Sequence, residues 1–174
     1  MITALIIIAA IIALPLIIAI VLPKHYLVER SIVIDKPKHV VFDYLKHSKN
    51  QDLYNKWVMT DPNMKKTFTG TDGTVGFIYG WNSNNKGGEG EQEITGIAEG
   101  ERINIEIRFI RPFKSVAHSH QVTEALTNHS TKVTWGMTGT SPWPINLLTS
   151  LMKGALNKDL DISLNNLKRI LENS

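Results

Sequence analysis

Three hydropathy regimes follow one another along the chain. Residues 1–22, "MITALIIIAAIIALPLIIAIVL", contain no Lys, Arg, Asp, Glu or His. At about 1.5 Å of rise per residue, such a run predicts a helix reaching across the ~30 Å hydrocarbon core of a bilayer. Pro15 lacks the N–H for one internal bond and kinks it. The run has neither the basic n-region nor the small-residue cleavage site of a secretory signal. As a buried core helix it would need a large apolar partner that the remaining sequence does not supply. The expectation is a transmembrane anchor over residues 1–23 and one domain over residues 24–174. Lys24, Arg30, Lys36 and Lys38 follow the run closely, which favours a single-pass membrane protein with a cytoplasmic domain.

Beyond Pro23 the periods alternate. "YLVERSIVID" predicts a strand, and Pro37 opens a helix over "KHVVFDYLKH", where Val40, Val41, Tyr44 and Leu45 share a face. A second short helix fits "KNQDLYNKW", and "TDPN" is a turn. The period then changes to two. "MKKTFTG", "VGFIYGWN", "EGEQEITGI", "RINIEIRFI", "SVAHSHQVTEA" and "TKVTWGMTGT" predict strands. Ile103, Ile105, Ile107 and Phe109 occupy one face, with Asn104, Glu106 and Arg108 on the other. Such alternation means a sheet buried on one face, the antiparallel habit. "SPWP" then starts a long helix over residues 146–172, with Ser141 as expected N-cap. Leu148, Leu151, Met152, Ala155, Leu156, Leu160, Leu164, Leu167 and Leu171 predict a single apolar stripe. Helices on one face of an antiparallel sheet make an α+β domain.

Charge and composition change this picture little. The net charge of +3 is small and cations are interleaved with acids, so no basic stripe marks a nucleic-acid partner. With no cysteine, the chain gives no redox clue to its compartment.

"VERSIVIDKPKHVVFDYL", "KWVMTDPNM", "GFIYGWNSNNKGGEGEQEI", "RPF", "TKVTWGM" and "KDLDISLNNLK" resemble the SRPBCC superfamily, and within it the polyketide cyclase/dehydrase group. The resemblance implies a helix-grip (START-like, Bet v 1-like) fold, a curved antiparallel sheet wrapped around the C-terminal helix, beside the N-terminal transmembrane helix. It further implies a cavity between sheet and helix for lipids, sterols or polyketides. Two positions depart from the family pattern: Tyr54 replaces a usual tryptophan, reshaping the cavity wall, and Ser163 replaces a glycine.

Residues 79–96, "YGWNSNNKGGEGEQEITG", could cradle a phosphate, but neither glycine spacing used for that purpose is met. The segment continues as a strand rather than opening a helix, which makes it a hairpin turn. His118 and His120 share a strand face and could serve as metal ligands or acid/base groups, yet no third ligand is evident. Glu89, Glu91 and Glu93 alternate beside Glu106, a pattern suited to an exposed face pairing with Arg108. No catalytic or metal-binding residue is assigned, and no cofactor is expected.

The remaining candidates are the apolar ones: Trp57, Phe77, Tyr79, Trp81, Phe109, Trp135, Met137 and Met152. They suit a hydrophobic pocket with polar tips on Tyr and Trp to orient the ligand. The expected function is membrane-anchored binding of a hydrophobic small molecule or lipid. The alternatives are a cyclase or dehydratase using His118, His120 or Tyr79 as acid/base, and a non-catalytic scaffold. The enzyme would require a buried His or Tyr beside a carboxylate lining the pocket, and none is expected.

Overall fold

The computed structural model describes residues 2–84 and 87–174, with backbone alone at residues 5, 6, 8, 9 and 12. Helix α1 (Ile2–Val21) is followed by strand β1 (His25–Ile34) and helix α2 (Lys38–Lys46). A 3-10 turn and two one-turn helices, α3 (Gln51–Tyr54) and α4 (Lys56–Met59), lead into β2 (Lys65–Thr69) and β3 (Ile78–Asn82). Then come β4 (Glu89–Ala98), β5 (Arg102–Arg111), β6 (Ser115–Thr127), β7 (Ser130–Thr140) and the long α5 (Ile145–Glu172).

All seven strands form one antiparallel sheet in the order β1-β7-β6-β5-β4-β3-β2. Helix α5 packs chiefly on β1, at one edge of that sheet. This α+β arrangement fits the helix-grip fold. Alternation sorts each strand as the sequence predicts: Ile103 and Ile105 on β5, Val133 and Trp135 on β7 and Val28 on β1 turn inward to the core. Phe42, Leu45 and Tyr54 close the core from α2 and α3.

Among the described residues, no helix is long and apolar enough to cross a membrane. The single-pass anchor expected over residues 1–23, and the membrane localisation resting on it, are corrected accordingly. Part of that apolar run, including Met1, lies outside the described residues. The described end of α1 is fastened to the domain. Asn146 Nδ2 donates to the Ala19 and Leu22 carbonyls at 2.7 and 3.0 Å, and Trp143 Nε1 donates to the Leu16 carbonyl at 3.1 Å. The Ala19 contact satisfies a carbonyl of the last helical turn, which a helix C-terminus leaves without an intrahelical partner.

Two further expectations change. The N-cap of α5 is Pro144, with no side-chain cap, while Ser141 Oγ shares a hydrogen bond with Thr149 Oγ1. The predicted single stripe on α5 is also two. Leu160, Leu164, Leu167 and Leu171 are buried, whereas Leu148 and Leu151 are exposed. At about 100° per residue, Leu151 sits opposite Leu160 on the helix. The N-terminal half therefore leaves Leu148 and Leu151 facing away from the core, while Leu156 still packs against it.

Candidate functional site

The offset of α5 toward β1 leaves part of the inner sheet face under-covered. Trp81 on β3, Ile107 and Phe109 on β5, Trp57 on α4 and Leu156 on α5 pack against the core yet remain only partly buried. We take the surface they leave open as a candidate apolar trough. Trp81 meets Phe109 edge-on with ring centroids 5.9 Å apart, and Trp57 meets Trp135 likewise at 6.1 Å. Edge-to-face packing fixes ring orientation beyond simple area burial.

The eight predicted residues divide in three. Trp57, Trp81 and Phe109 line the trough, with Trp135 and Met137 buried in the neighbouring core. Phe77 and Tyr79 are fully buried and packed with Phe68. Met152 is 46% exposed on the outer part of α5.

The polar tips are engaged within the protein. Trp57 Nε1 donates to Asp159 Oδ2 at 3.1 Å, Trp81 Nε1 to the Gly87 carbonyl at 3.1 Å and Trp135 Nε1 to Ser119 Oγ at 3.0 Å. Tyr79 OH donates to Asp52 Oδ1 at 2.6 Å, and Lys66 Nζ pairs with Asp52 Oδ2 at 2.8 Å. This buried tyrosine–carboxylate pair packs against Phe68 and not among the trough residues. Burial, reinforced by the Asp52 carboxylate, pushes the Tyr79 hydroxyl well above the usual tyrosine range. Among the described residues, four buried polar atoms have no hydrogen-bond partner: Gln121 Oε1 on β6, Asn146 Oδ1 and Asn157 Oδ1 on α5, and the Tyr44 hydroxyl on α2.

The glycine-rich stretch is the β3–β4 hairpin, although Asn85 and Lys86 lie outside the described residues. Gly88 has φ +63°, and a Cβ there would collide with the Arg111 carbonyl. Gly90 lies under the Trp81 indole, where a Cβ would meet the ring at 2.6 Å. These glycines admit a turn and an aromatic ring.

His118 and His120 lie on the opposite, outer sheet face. His120 Nε2 is 3.0 Å from Glu29 Oε2, and the His120 ring covers Gly136. Two open clefts occur on this face, of about 390 and 570 Å³, and both include His118. No group of three metal-ligating side chains occurs among the described residues. The acidic face is paired as expected: Arg108 donates to Glu91, Glu93 and Glu106 at 2.7, 2.8 and 2.6 Å. Those carboxylates, Glu91 foremost, raise the Arg108 guanidinium above its usual range.

The sequence analysis missed Ile107, Leu156 and Asp159 as parts of the trough. The period of two already grouped Ile107 with Phe109. The role of Asp159 has no local signal, since its partner is 102 residues away.

Norcoclaurine synthase from Thalictrum flavum, in complex with dopamine and hydroxybenzaldehyde, superposes with a TM-score of 0.65 at 7% identity. The match covers 89% of this chain and 90% of that one. A protein from Thermobifida fusca gives 0.62 at 13% identity, over 83% and 92% of the two chains. One from Nitrosospira multiformis gives 0.58 at 20%, over 83% and 94%. These likenesses carry the fold. No curated protein matches the sequence. The family model described as polyketide cyclase / dehydrase and lipid transport matches residues 26–172, and the chain belongs to that family, within the SRPBCC superfamily.

Proposed function

We propose that residues 24–174 form a binding domain for a hydrophobic small molecule or lipid seated in the trough. The observation that carries this is the half-buried aromatic pair of Trp81 and Phe109 on the inner sheet face, with Leu148 and Leu151 of α5 left exposed. Removing apolar surface from water is worth ~25 cal/mol per Å², so covering ~200 Å² contributes about 5 kcal/mol before association costs. The indole and Tyr79 tips already have partners, so they hold the walls rather than the ligand. Of the four unpartnered buried atoms, Gln121 Oε1 and Asn157 Oδ1 are the acceptors assigned to a ligand hydroxyl or amine.

The second reading is a cyclase or dehydratase, favoured by the Tyr79–Asp52 contact. A general base near neutral pH needs a proton it can lose, but burial and Asp52 hold the Tyr79 proton on. His118 and His120 face away from the trough. Binding is therefore the better account.

Titration with anilinonaphthalene sulfonate, followed by energy transfer from tryptophan, tests it. Saturable binding that Phe109→Ala weakens about tenfold supports the trough. Absence of saturation, or equal affinity in Phe109→Ala, would overturn it.

A further inference from the structure

The acids of this chain are unevenly placed. Residues 107–123 and 125–158 contain no Asp or Glu, and neither do residues 1–28. Strand register brings the ends of these segments together. His25 opposes Thr140, Ala117 opposes Gly139 and Phe109 opposes Ser115, all at one end of the sheet. Helix α5 begins at this same end, with the backbone N–H of Ser141 bound to the Lys24 carbonyl at 2.8 Å. At the opposite end, the turns carry Asp35, Asp72, Glu99 and Glu101.

The acid-poor end is also apolar. Phe113, in the β5–β6 turn, is 64% exposed, and Leu151, on α5, is 74% exposed. Trp143, just before α5, and Leu148, in its first turns, are also exposed. Lys24, Lys114, Lys153 and Lys158 are exposed in the same segments. Among the described residues two acids also lie at this end: Glu89, neutralised by Arg111 Nε at 2.7 Å, and the buried Asp61, which accepts from Ser83 Oγ. Asp159, just beyond the acid-free stretch, accepts the Trp57 N–H.

We propose that this end of the domain docks on an anionic lipid surface, with Phe113 and Leu151 entering the interface and the lysines meeting headgroups. Apolar contact and cationic attraction are the two components of interfacial adsorption. Charge complementarity selects this occupant over a second copy, whose matching end would bring like charges together. The docking requires no membrane-crossing helix. It goes beyond ligand binding: vesicle-free titration reads the trough, and vesicle sedimentation reads this face.

The test sediments the full chain with vesicles of phosphatidylcholine alone, or mixed with phosphatidylglycerol, at low and high salt. Binding to the mixed vesicles should be at least about tenfold tighter and should weaken with salt. Leu151→Asp and Phe113→Asp should each reduce it about tenfold. Leu126→Asp, an exposed site at the opposite end, should leave it unchanged. The pair Lys114→Glu and Lys153→Glu should reduce binding without altering any apolar residue. Equal binding to both vesicle types overturns the proposal. So does binding that the Leu151, Phe113 and lysine variants leave intact, or a dimer in solution that those variants dissociate.

Discussion

Trp57 Nε1 donates to Asp159 Oδ2 at 3.1 Å, tying α4 to α5 one residue before α5 buries Leu160. The bond fixes an indole that forms part of the trough wall. In Asp159→Ala the indole loses its acceptor while retaining the edge contact with Trp135. A loss of about 1.5–3 kcal/mol is expected in urea unfolding, typical of a hydrogen bond to a charged acceptor. Tryptophan emission should shift to the red as Trp57 gains solvent. An unchanged spectrum would mean that packing alone holds the ring.

The division of α5 into two leucine faces makes an uneven pair of truncations. Leu164 is fully buried, so Leu164→Ala should cost 2–5 kcal/mol through lost transfer energy and a residual cavity. Leu151→Ala removes the same atoms from a side chain already in water, with an expected change within about 0.5 kcal/mol. Similar melting losses in the two variants would contradict the orientation of the helix.

Gly88 combines positive φ with a carbonyl where its Cβ would stand. Gly88→Ala should destabilise by more than ~1 kcal/mol, beyond the ordinary entropic gain from replacing glycine. If the hairpin relaxed without loss, thermal unfolding of Gly88→Ala would match the parent.

Alternation of apolar and polar residues makes the sheet legible in the sequence. Ile103, Ile105, Ile107 and Phe109 share a face because successive strand side chains point to opposite sides, and the Glu–Arg108 face followed from the same rule. The trough was only half legible. Trp57, Trp81 and Phe109 were identifiable as apolar candidates, but the coverage of each depends on where α5 lies, and spacing within α5 carries no such information. The same limit produced the single stripe on α5: Leu148 and Leu160 satisfy one local pattern while facing different surroundings. Tyr79 and Asp52 lie 27 residues apart and meet only through the packing of α3 on β3, so periodicity gave no warning of that pair.

Glu172 gives the pH dependence a definite sign. The Asp35 backbone N–H first, then Lys168 Nζ, stabilises its carboxylate and lowers its pKa below the ordinary glutamate value. Its stabilising contribution is therefore complete above the unfolded pKa of about 4.3 and is lost as pH falls through the lower folded value. Glu172→Gln should be less stable than the parent at neutral pH, with the gap closing below about pH 4. Urea midpoints measured across that range give the comparison, and a constant gap would mean that Glu172 acts through packing rather than charge.

Tyr79→Phe separates binding from catalysis. The substitution preserves the ring contact with Phe68 and removes the hydroxyl, leaving Asp52 its Lys66 partner. Losing a hydrogen bond to a charged acceptor should cost about 1.5–3 kcal/mol, within a cooperative domain's reserve. Because Tyr79 is buried with its hydroxyl directed to Asp52, affinity for anilinonaphthalene sulfonate should stay within about twofold of the parent, a difference of ~0.4 kcal/mol. A much larger affinity loss in a variant that still unfolds cooperatively would place the hydroxyl against the ligand and return Tyr79 to the chemistry of the site.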